Sequence, residues 1–75
     1  MRWTSVNSDN LLRVAYTEKG KLLHVIFRKA PGIMYTYYNV SKKTYLNLLS
    51  AYSVGEFFHH RIRDVKRFTK GKPVR

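Results

Sequence analysis

The hydrophobic period of this chain changes once, near Val40, and that change fixes the class of fold open to it. Over residues 11–39 apolar side chains recur at alternate positions, the spacing of a half-buried strand. Beyond Val40 they recur every three or four residues, the spacing of an amphipathic helix. With 75 residues there is room for one core, so the two halves must cover each other. The expectation is an α+β domain over residues 1–68, with a flexible basic tail at 69–75. In it, a three-stranded antiparallel meander precedes two helices packed on one sheet face.

Within the first strand Leu12, Val14 and Tyr16 fall on one side, and Leu11, Arg13 and Ala15 on the other. Thr17-Glu18-Lys19-Gly20 reads as a hairpin turn in which Gly20 takes a positive φ. The second strand sets Leu23, Val25 and Phe27 against His24, Ile26 and Arg28. Ala30-Pro31-Gly32 reads as the next turn, and residues 33–39 as the third strand. Parity assigns Tyr35 and Tyr37 to the core face, with base stacking as the other reading. It leaves Met34, Thr36 and Tyr38 outward, beside Arg13, His24, Ile26 and Arg28.

Ser41 is placed to cap a first helix whose stripe is Tyr45, Leu48, Leu49 and Tyr52. Ser53-Val54-Gly55-Glu56 is a capping box opening a second helix, with Tyr52 and Phe57 at staple positions. Its apolar stripe continues through Phe58, Ile62 and Val65, and it should fade near Arg67.

These segments together resemble the KTSC domain. Val14-Ala15-Tyr16, Tyr35-Thr36-Tyr37 and Ser53-Val54-Gly55-Glu56-Phe57-Phe58 followed by Ile62 carry the likeness, which spans about residues 5–63. That family is named for its place at the C-terminus of some lysyl-tRNA synthetases and also occurs as stand-alone bacterial and phage proteins. The resemblance implies an RNA-binding role and no assigned catalytic residues. Ala15 and Thr17 stand where the family tends to have Gly and Asp, Ser41 replaces a usual Pro, and His59 a usual Asn. Lys66 falls near an expected aromatic.

Fifteen Lys and Arg face four Asp and Glu, a net charge of +11, which a polyanion would neutralise. From Arg61 onward seven residues are basic and only Asp64 is acidic. Arg61, Arg63, Lys66 and Arg67 are therefore expected to hold phosphates, assisted by Arg28 and by Lys42 and Lys43 in the first helical turn. Tyr38, and after it Tyr35, Tyr37 and His59, are expected to stack on bases. An acidic protein partner, bound for instance by a phage product that modulates a host enzyme, competes with nucleic acid. A monomer or a weak homodimer through Ile26, Met34 and Tyr38 fits the same composition.

Catalysis is not expected. The acids Asp9, Glu18, Glu56 and Asp64 are scattered, and no phosphate loop or nucleophile elbow is present. Neither cofactor nor metal is expected. His59 and His60 are adjacent on a helix, about 100° apart, and no nearby acid completes a set with His24. The absence of cysteine excludes disulfides and fits a reducing, cytoplasmic setting. No run approaches the roughly 18 apolar residues of a membrane span, and no secretory signal is evident.

Overall fold

The two halves do assemble as an α+β domain, but the sheet has five strands rather than three. A computed structural model of the chain describes residues 1–73, so Arg75 of the basic run lies outside the described residues. Strands β1 (Thr4–Ser5), β2 (Leu11–Thr17), β3 (Leu22–Phe27), β4 (Ala30–Tyr37) and β5 (Phe68–Gly71) lie in chain order, each antiparallel to the next. Helices α1 (Lys42–Ser50) and α2 (Val54–Phe58) follow the meander, and α2 runs on into a π-helical turn, His59–Arg63.

Alternation along β3 holds. Leu23 and Val25 are buried, Phe27 packs against them, and Tyr37 and Tyr35 pair opposite Leu23 and Val25 on the same face. Tyr45, Leu48 and Leu49 from α1, with Val54, Phe57 and Phe58 from α2, cover that face. Both helices are N-capped by the expected serines. Ser41 Oγ accepts from the Thr44 amide at 3.1 Å, and Ser53 Oγ from the Glu56 amide at 3.3 Å.

Strand β2 departs from simple parity. Its pairing with β3 slips between Leu11 and Arg13, so Leu11 rather than Leu12 joins Val14 in the core. A bulge adds one residue and so reverses which face its neighbours take. The first turn forms as expected, with Gly20 at φ 90° and Lys21 at φ 55°. The second turn does not. Phe27 pairs with Ala30, leaving Arg28 and Lys29 as the loop and Ala30-Pro31-Gly32 inside β4. Pro31 falls where the β3–β4 register shifts, a place where a strand tolerates a missing N–H.

The supposed tail is the largest correction. Residues 68–71 form β5, pairing Phe68, Thr69, Lys70 and Gly71 with Tyr37, Thr36, Tyr35 and Met34. The edge of β4 needs a hydrogen-bonding partner, and the chain returns to supply one. Helix α1 also stops earlier than its stripe implied. Ala51 is extended, so Tyr52 is fully exposed and no staple with Phe57 forms. Val65 is likewise exposed, because the helical backbone ends before it.

The second sheet face is not the open platform that parity implied. Ala15, His24, Ile26 and Thr36 are all buried there. His24 joins two strands through Thr17 Oγ1 at 2.8 Å and Thr36 Oγ1 at 3.0 Å. The Arg13 guanidinium lies over the Trp3 ring, 5.1 Å from its centroid.

Candidate functional site

Strand β5 reshapes the molecule because its alternation lays Phe68 and Lys70 on the helix side of the sheet, beyond the reach of α1. Phe68 packs on Tyr35 and Tyr37, with ring centroids at 5.6 and 5.4 Å. Tyr37 in turn meets Phe58 edge-on at 5.2 Å. These rings floor a groove of about 1310 Å³ bounded by α2, the π-helical turn, β4–β5 and the loop before β2. Gly55 lets α2 approach that loop closely, since a Cβ there would stand 3.3 Å from Ser8 Oγ.

Cations and imidazoles rim the aromatic floor. Lys70 Nζ lies 5.4 Å from the centre of the Tyr35 ring, within cation–π range. Lys29, His59, His60 and Arg63 also line the groove, with the acids Asp9, Glu56 and Asp64. Burial pushes the Tyr37 hydroxyl up to about 12, with the positive charge of Arg63 pulling the other way. It therefore stays a neutral hydrogen-bonding group at physiological pH.

The residues singled out in the sequence are divided by the structure. Tyr35, Tyr37, His59 and Arg63 come together in the groove. Arg61 faces elsewhere, with its guanidinium 6.0 Å from the Phe57 ring beside exposed Tyr52. Lys66 and Arg67 lie in the turn leading to β5 and do not line the groove. Arg28 is engaged as a pin, donating from Nε to the Ser8 carbonyl at 2.6 Å and from Nη2 to the Val6 carbonyl at 3.4 Å. Lys42 pairs with Glu18 at 3.5 Å, and Lys43 is exposed beside it. Tyr38 is half-exposed and shares a hydrogen bond with Thr69 Oγ1 at 2.8 Å.

Phe58, Phe68, Lys29 and Lys70 are groove residues that sequence reasoning missed. The signal for two of them was the alternation Phe68-Thr69-Lys70, too short to stand out as a strand.

The expected separation of His59 and His60 is overturned. Their ring centroids are 4.9 Å apart, and His59 Nε2 lies 3.5 Å from Asp64 Oδ2. The ligand atoms of all three residues fall within 4.8 Å of one another. His24, the third histidine, is buried on the other sheet face.

A search of curated proteins found no significant match. A crystal structure of a KTSC domain protein from Yersinia pestis superimposes on the chain with a TM-score of 0.79 and 27% identity, covering 97% of each. The family model for the KTSC domain matches residues 7–68, which takes in the meander, both helices and the start of β5. The chain belongs to the KTSC domain family.

Proposed function

We propose that this chain is a non-catalytic RNA-binding module whose site is the aromatic groove. It would be of the kind appended to lysyl-tRNA synthetases or standing alone in bacteria and phages, and would act in the cytoplasm. The observation that carries the reading is Lys70 and Arg63 flanking a floor of Tyr35, Tyr37 and Phe68. Splayed bases would stack on Tyr35 and Phe68, which buried Tyr37 supports from beneath, while cations hold the backbone, each stacked base contributing about 1–3 kcal/mol. The net charge of +11 supplies the long-range attraction. Phosphate contacts from Lys66, Arg67 and Arg61 would extend the path beyond the groove, with Lys42 and Lys43 farther out.

The test is fluorescence anisotropy with a short labelled single-stranded RNA across a salt series. Each phosphate contact contributes about −0.7 to the log–log slope. Replacing Arg63 and Lys70 by Gln should flatten the slope by about 1.4, and Phe68→Ala should weaken binding at every salt concentration by about 1–3 kcal/mol. Affinity indifferent to salt, or to both changes, refutes the reading.

A protein partner is favoured by a different observation. Tyr52 is fully exposed, with Phe57 and Arg61 beside it, an aromatic and an Arg of the kind that anchor interfaces. Nuclease-resistant capture of one acidic protein, lost in Tyr52→Ala, would support that reading instead.

A further inference from the structure

We propose that the π-helical turn is a metal site in which His59, His60 and Asp64 coordinate one borderline divalent ion of the zinc, nickel or copper class. In an α-helix, residues five apart point about 140° away from each other. Here the Asp64 amide donates to the His59 carbonyl at 3.3 Å, an i→i+5 bond that widens the turn and brings Asp64 beneath His59. Such π-turns are uncommon and are found often at functional positions.

Distances fit coordination. Two donors each about 2.0–2.1 Å from a tetrahedral ion stand about 3.4 Å apart. His59 Nε2 and Asp64 Oδ2 are already 3.5 Å apart, and one ligand atom each from His59, His60 and Asp64 lie within 4.8 Å of one another. All three side chains line the groove, so the remaining coordination position opens toward whatever the groove holds. The two imidazoles favour borderline ions over calcium or magnesium, and the single carboxylate serves either class.

One contact opposes binding. Arg63 Nη1 donates to His59 Nδ1 at 3.4 Å. A metal on Nε2 requires the ring proton on Nδ1, so this contact must break. The net charge of the whole chain, +11, also repels a dication. Salt screens that repulsion, so metal affinity should rise with ionic strength, opposite in sign to RNA binding.

The experiment titrates the untagged full chain with zinc, nickel and copper chlorides by calorimetry at low and high sodium chloride. One ion per chain is expected for at least one metal, more tightly at high salt. His60→Ala and Asp64→Asn should each weaken it at least tenfold, Arg63→Gln should tighten it, and His24→Gln should leave it unchanged. Should a variant fail to fold, slowed exchange of the Asp64 amide on adding metal to the parent chain is the independent readout. The proposal is overturned if none of the three ions binds one-to-one. Undiminished binding in the folded His60→Ala, Asp64→Asn double variant, or an Asp64 amide indifferent to metal, also overturns it.

Discussion

The two faces of this sheet bury their central residues by different chemistry. On the helix side Leu23, Val25, Tyr37 and Phe58 exclude water by packing apolar and aromatic surface from two strands against a helix. On the opposite side Thr17, His24 and Thr36 close a polar row by satisfying one another, with Tyr38 and Thr69 bonded at its margin. The first face therefore tolerates loss of volume poorly, and the second tolerates loss of a partner poorly. The comparison also bears on the proposed binding site. The groove opens at the edge of the packed face, where aromatic surface outruns the helices.

The largest effect should come from removing volume on the packed face. Phe58 contacts the rings of Phe27 and Tyr37 and is 2% exposed. Phe58→Ala should cost about 3–5 kcal/mol in urea unfolding. A loss under about 1 kcal/mol would mean that the helices cover the sheet loosely.

pH separates the faces next, because burial raises Tyr37 and Tyr16 on the packed face and lowers His24 on the other. Tyr37 has a folded value raised from 10.0 to about 12 by burial. Its contribution is fully present below pH 10.0 and lost as pH rises toward about 12. His24 is lowered from 6.5 by burial alone. Its contribution is present above pH 6.5 and lost as pH falls below that value toward the folded one. Both threonine oxygens can still accept from an imidazolium, so the acid-side loss reflects a buried charge. Tyr37→Phe should reduce the alkaline dependence, with Tyr16 retaining the remainder, and leave the acid one intact, while His24→Gln should remove only the acid one, in urea midpoints measured from pH 4 to 11. Truncating the row outright with His24→Ala leaves Thr17 and Thr36 without that partner and should cost about 1–3 kcal/mol.

How much of this was legible in the residues follows from the same contrast. The packed face could be read from alternation alone in β3, because Leu23, Val25 and Phe27 fall on one side of that strand even though its partners slip register beside Phe27. Leu11 could not, since a bulge is a property of pairing and leaves no mark on the pattern of one strand. Strand β5 was hidden for a related reason. Phe68-Thr69-Lys70-Gly71 acquires its structure from the edge of β4, at positions where local composition reads as a charged tail. The groove inherits that blindness, as two of its walls come from β5 and the π-helical turn. Tyr35, Tyr37, His59 and Arg63 were individually visible, but their convergence depended on those two elements. The outer face failed in the opposite way. His24 and Thr36 look solvent-directed by parity, yet each satisfies the other's polar atoms and so can be buried at little cost.

The smallest expected effect tests whether the outer face has any binding role. Parity made Tyr38 the foremost stacking residue, whereas its hydroxyl is shared with Thr69 at the margin of the polar row. That bond is exposed, so Tyr38→Phe should lower stability by about 0.5 kcal/mol, at the low end for a hydrogen bond, as measured by thermal unfolding. Tyr38→Ala should leave affinity for single-stranded RNA within about twofold of the parent, far short of the 1–3 kcal/mol expected from a stacking platform. A drop of tenfold or more would move the stacking surface to the outer face. In that event Tyr35→Ala and Phe68→Ala should weaken binding less than Tyr38→Ala does, because the groove and the polar row lie on opposite sides of one sheet and a short strand cannot stack on both at once.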